Sequence, residues 1–249
     1  MKILGIDTAT TTASVALIDD NQPVIEKFHN KNSEVSENLT IGPKGNHAEI
    51  ILPLIRAVLE QAKSSLAELD GIAVSIGPGS FTGLRIALAT VKGIAYELGI
   101  PVLGISTLHA QACRVCDADK LICAMLDARK REVYAALFRR VDGILQRLSD
   151  DGVMPVTNAI EMIQSTRQNN LCSVIGDGAQ AYEKWLIQSL GGRLSIVAES
   201  ECSTVARRVA ELAQTRFGVA AGDDLGALVP VYLRSPEAEK KRALSELTH

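Results

Sequence analysis

The chain has 249 residues, 47% hydrophobic and 22% charged, with a net charge of −3 and 4% aromatic residues. This composition excludes a disordered or fibrous protein, and the length allows one or two buried cores. No apolar run reaches the roughly 18–20 residues needed to cross a bilayer, and the charge and ring content argue against a chain that holds nucleic acid by itself, which needs a basic footprint and stacking aromatics.

Three strands are predicted first, at Lys2 to Ile6, Ala13 to Ile18 and Val24 to Phe28, with turns at Thr10-Thr11 and Asp19 to Pro23; three in a row suggest an antiparallel meander. Met1-Lys2 leads straight into the first strand rather than into a signal peptide, which makes the expected location cytoplasmic. The polar stretch from His29 to Asn46 carries almost no apolar periodicity and is expected to be a mobile loop. A helix from about Asn46 to Ala62 and a strand from Gly71 to Ile76 follow.

Gly77-Pro78-Gly79-Ser80-Phe81-Thr82-Gly83-Leu84-Arg85 then forms a glycine-rich turn into a second helix, from about Thr82 to Leu98. Ser80 or Thr82 can cap that helix. The turn is either a phosphate cradle, with backbone N–H groups at a helix N-terminus, or a structural turn; its spacing matches neither a Walker A loop nor a dinucleotide fingerprint. Both helices carry apolar residues around much of their circumference. Such helices are sandwiched in a core or used at an interface, and the interface reading is preferred, with Ile51, Leu54, Ile55, Val58, Leu84, Leu88, Val91 and Ala95 in the contact and Arg85 and Lys92 at its rim.

A strand at Val102 to Ile105 precedes a helix from Thr107 to Cys116. On that helix Cys113 and Cys116 share a face, as buried structural thiols or as a redox or metal pair. The five cysteines are odd in number and scattered, which argues against a secreted disulfide framework. The second half opens with strands at Leu121 to Asp127 and Glu132 to Arg139, a hairpin turning at Ala128-Arg129-Lys130-Arg131. After a mixed region come a strand at Leu171 to Ile175, a helix from Ala179 to Leu190, a strand near Leu194 to Val197 and a helix from Ser203 to Phe217. The tail, 235–249, with Lys240-Lys241-Arg242, is either a solvated charged terminus or an arm that touches a partner or a nucleic acid. The expected domains are 1–106, with 203–232 packing back on it, and a smaller unit at 107–202.

The glycine-rich turn, the opening Ile6-Asp7-Thr8-Ala9-Thr10, His47 with Leu52-Pro53, Asp127-Ala128-Arg129 with Glu132-Val133-Tyr134, Gly176-Asp177-Gly178 and Pro230-Val231-Tyr232-Leu233-Arg234 occur in one order. In that order the chain resembles the TsaB (YeaZ) family, subunits of the bacterial machinery that makes threonylcarbamoyladenosine in tRNA. The resemblance implies a two-lobed α/β fold of the duplicated type shared by actin, sugar kinases and heat-shock chaperone ATPases. It also implies a non-catalytic subunit that stabilises and activates a TsaD-type transferase through the two apolar helices. The other implied partners are a TsaE-type ATPase, tRNA held through the complex, and a second copy of the chain in a homodimer.

In the ATPase superfamily the first hairpin turn holds phosphates, which points to Asp7, Thr8, Thr10 and Thr11 as a relic phosphate site. Asp7 could hold Mg²⁺ through water, or Asp7 and Thr10 could satisfy turn backbone groups. No cofactor is expected to be required, and ATP or ADP with Mg is expected to bind weakly if at all. No catalytic residue is expected: the transferase relative binds metal through two histidines four apart, and His47-Ala48-Glu49-Ile50-Ile51 lacks the second. The rival reading is an autonomous ATP-dependent phosphotransferase or ATPase using Asp7, Thr10 and Gly176 to Gly178.

Overall fold

The computed structural model describes residues 1–20, 22–30, 47–116, 120–167, 171–198, 202–219 and 221–234. Of the stretch expected as a loop from His29 to Asn46, His29 and Asn30 instead end the third strand, with His29 buried, and 31–46, like the tail 235–249, lies outside the described residues. The meander forms as β1 (Lys2–Asp7), β2 (Thr12–Asp19) and β3 (Gln22–Asn30), paired antiparallel. β1 then pairs in parallel with β4 (Gly71–Gly77), and β4 with β5 (Val102–Ser106), giving a sheet in the order β3-β2-β1-β4-β5.

Alternation along β1 decides what covers each face. Leu4 and Ile6 enter one core with Ile50, Leu54 and Val58 of α1 (His47–Ala62) and Ala87, Leu88 and Val91 of α2 (Phe81–Leu98). Ile3 faces the other way, into a core with Val209, Ala210 and Ala213 of α7 (Val205–Phe217). Gly5 shares that second face, where a Cβ would stand 2.2 Å from the Ala206 carbonyl oxygen; the strand needs glycine for α7 to lie this close.

The second sheet holds β6 (Leu121–Asp127), β7 (Glu132–Val141), β8 (Ile144–Arg147), β10 (Cys172–Ile175) and β11 (Leu194–Ile196) in the order β11-β10-β6-β7-β8, with β9 (Gly152–Pro155) also paired to β7. Read from its other edge, this order repeats that of the first sheet, an antiparallel trio followed by two parallel strands. One face packs on α4 (Val156–Arg167) and α6 (Glu183–Leu190). The other takes Leu108 and Ala112 of α3 (Thr107–Cys113), which also touches α7.

Two expected helices end differently. α3 stops at Cys113, so Cys116 lies beyond the helix and is exposed, and the two thiols do not share a helical face. The helix expected from Ala179 to Leu190 is split into α5 (Asp177–Ala181) and α6, with Tyr182 between them at φ −116° and ψ 20°. α4 and β9 occupy the region that showed no clear pattern in the sequence.

Candidate functional site

The β1–β2 turn borders a cavity of about 250 Å³, lined by Asp7, Thr10, Thr12 and Ser14 on one side and Arg114, Cys202 and Thr204 on the other. Asp7 and Thr8 are fully buried. The Thr8 hydroxyl donates to the Gly83 carbonyl at 2.7 Å, and the Thr10 hydroxyl exchanges bonds with Thr12 inside the turn. Thr8 therefore ties the turn to α2, while Asp7 and Thr10 line the cavity and Thr8 and Thr11 do not.

Arg114 was not singled out by sequence, because it follows α3 without any motif. It is buried; its guanidinium donates to the Ser203 carbonyl and to the Gln111 side chain. A buried cation beside hydroxyls fits a phosphate-sized anion. Among the described residues no group of three or more His, Cys, Asp or Glu side chains is placed to hold a metal ion. Gly176 and Gly178 are elsewhere: a Cβ at Gly176 would lie 2.3 Å from the Met125 carbonyl oxygen, and Asp177 accepts the Asp127 backbone N–H. Those glycines are needed for the packing of α5 on β6 and are not among the residues lining the Asp7 cavity.

The glycine-rich turn is packed full as well. A Cβ at Gly79 would meet the Ala9 carbonyl oxygen at 2.4 Å, and one at Gly77, where φ is +118°, would meet that of Val231 at 2.7 Å. Ser80 caps α2 by accepting from Gly83 N, and its own N–H donates to Ala9. The turn is thus clamped between the first hairpin and the carboxy-terminal segment, whose Val231 N–H reaches Ile76.

The two apolar helices show a division that their composition hid. Ile51, Leu54, Ile55, Val58, Leu84, Leu88, Val91 and Ala95 are buried within the chain itself. They cover its own sheet and are unavailable as direct contacts for a partner, so the surface reading of these eight is corrected to a core one. The outward stripe of α2 is instead Thr82, Arg85, Ala89, Gly93 and Tyr96, at helical spacing. Tyr96 is 84% exposed, a Cβ at Gly93 would meet nothing within 4 Å, and Leu52 of the neighbouring α1 is 57% exposed. Lys92 is half-buried. Arg85 is exposed yet engaged within the chain: its guanidinium lies 3.9 Å over the Phe81 ring and donates to the Tyr232 hydroxyl at 2.8 Å.

With this geometry in place, the family model described as "TsaD: tRNA N6-adenosine threonylcarbamoyltransferase" matches residues 40–242. The tRNA threonylcarbamoyladenosine biosynthesis protein TsaB of Bacillus subtilis (strain 168) is 28% identical over 241 residues, 97% of each chain. The solved YeaZ of Pseudomonas aeruginosa superposes with a TM-score of 0.69 at 28% identity, over 93% of this chain and 99% of that one. The chain belongs to the TsaB (YeaZ) family. A more distant likeness, to the ethanolamine utilization protein EutJ of Carboxydothermus hydrogenoformans (TM-score 0.53, 14% identity, 85% of this chain and 90% of that one), concerns the fold alone and agrees with a duplicated ATPase-type architecture. In this TsaB-family chain the motif tyrosine, Tyr232, is a clamp on α2 through Arg85 and Phe81. Its role was hidden in sequence because the two segments lie 147 positions apart.

Proposed function

We propose that this chain is a non-catalytic partner subunit in the synthesis of N6-threonylcarbamoyladenosine at position 37 of tRNA, stabilising and activating a TsaD-type transferase. The observation that carries the reading is the outward stripe of α2, small at Ala89 and Gly93 and ending in the exposed ring of Tyr96, beside exposed Leu52. Small residues let another helix approach closely, and an aromatic at the edge anchors it. The full-length likeness to a protein named for threonylcarbamoyladenosine biosynthesis supplies the pathway. The same stripe is offered to the transferase or to a second copy of the chain, a TsaE-type ATPase joins the assembly, and no cofactor is needed for docking.

The test is co-purification with TsaD-type and TsaE-type subunits, followed by assay of tRNA modification with each component omitted in turn. Gly93→Leu combined with Tyr96→Asp is expected to lower complex yield and modification at least tenfold while the monomer keeps its melting temperature. Normal complex formation by that folded variant overturns the docking surface.

The cavity between Asp7 and Arg114 favours a second reading, in which the isolated chain binds Mg-ATP and turns it over. Titration calorimetry separates the two: tight binding with turnover by the chain alone supports the enzyme reading over the subunit one.

A further inference from the structure

The β6–β7 hairpin turns through Arg129, Lys130 and Arg131, three consecutive residues in the left-handed region at φ 65°, 56° and 62°. Side chains with a Cβ adopt that region as isolated residues, and glycine would do so without strain. Here all three positions are long, exposed cations. Strain of this kind persists where the surroundings enforce it, and they do so on every side. The Asp127 carboxylate accepts from the Arg129 N–H at 2.8 Å, from its guanidinium at 3.0 Å and from the Tyr182 hydroxyl at 3.1 Å. Val156 N–H donates to the Arg131 carbonyl, and Arg234 donates to the Ala128 carbonyl at 2.7 Å.

Behind the turn Arg234, 18% exposed, pairs with Glu132 at 3.3 Å, while the charges of the turn itself differ in depth. The Asp127 side chain is 14% exposed, whereas that of Arg129 is 77% exposed. The carboxylate sits beneath the turn and the cations stand above it. Beside them Trp185 of α6 is 38% exposed, with the Arg131 guanidinium 5.8 Å from its ring centre and Tyr182 at 6.1 Å. Cations at a fixed spacing next to an accessible indole match a phosphate backbone and a stackable base.

We infer that the β6–β7 hairpin and Trp185 form an RNA contact, with Lys130 and Arg131 on phosphates and the indole against an unpaired base. The choice of RNA over another polyanion rests on the function proposed above. On a chain of net charge −3 this is a local patch, suited to help position an RNA held mainly by partners.

Trp185 is the sole tryptophan of the chain, which makes it a built-in reporter. Unmodified tRNA transcript is titrated into the chain at low salt while indole fluorescence is read. Saturable quenching is expected, weakening steeply as salt rises. Lys130→Gly combined with Arg131→Gly removes two cations while relieving the backbone. It is expected to keep or raise the melting temperature, move the tRNA midpoint about tenfold weaker and reduce the salt slope by about 1.4–1.8. Lys130→Asn with Arg131→Asn, which also tolerates the left-handed region, is the second variant. No quenching by wild type, or the same titration curve for wild type and both variants, overturns the inference. The modification assay is scored separately: if it does not depend on this chain while quenching behaves as expected, the proposed function falls and the RNA contact stands.

Discussion

At single positions, burial reverses what side-chain type suggests. Leu88 is 3% exposed inside the core under α2, so Leu88→Ala is expected to lose about 2–5 kcal/mol of stability, measured by urea unfolding, with any loss of pairing following from unfolding. The cysteines divide in the same way. Burial pushes the Cys113 thiol up to about 11 and that of Cys172 up to about 12, and pushes buried Cys123 up as well. The thiolate is the reactive form. At pH 8 a thiol reagent is therefore expected to label exposed Cys116 first and to reach Cys123 and Cys172 only on unfolding, as peptide mapping of the labelled chain would reveal. The CxxC spacing was legible in sequence; the end of α3 at Cys113, which separates the pair, was not, since nothing between Gln111 and Cys116 is a helix breaker.

At the level of elements, the strands were the most legible, because alternation and length set β1, β2, β4, β6 and β7 within a residue or two of their observed bounds. What alternation could not supply was which face of an apolar helix turns outward. α2 has Ile86, Ala89 and Ile94 as well as Leu84, Leu88 and Val91, and only the position of the sheet separates the outward Ala89 from the buried Leu88. The entry to α7 shows how a distant residue fixes an element. Thr204 caps the helix by accepting from Arg207 N, and both its N–H and its hydroxyl donate to Glu26 on β3, at 2.9 and 2.8 Å. Thr204→Ala is expected to cost about 1–2 kcal/mol, seen as a lower thermal midpoint. Serine at the same position should restore most of it, since it keeps the hydroxyl.

Over the whole molecule, the repeated strand order explains why the sequence carries a duplicated fold without a visible repeat. What is shared between the halves is hydrogen-bonded topology, which many sequences satisfy, while the residues filling each core differ: Ile, Leu and Val under α1 and α2, and Cys123, Met125 and Cys172 under α4 and α6. The Asp7 cavity was only half legible for the same reason, because Asp7 and Thr10 belong to a local turn whereas Arg114 and Thr204 arrive from segments far along the chain.

The seating of α7 on β1 also sets a clock. The strand at residues 2–7 is covered on its Gly5 face by a helix at residues 205–217. At bacterial and eukaryotic synthesis rates of about 5–20 residues per second, roughly 10–40 s pass on the ribosome before that helix exists. Until then Ile3 and Gly5 lack the helix that covers them in the folded chain, so the nascent chain leaves that face of its first sheet open through most of its own translation.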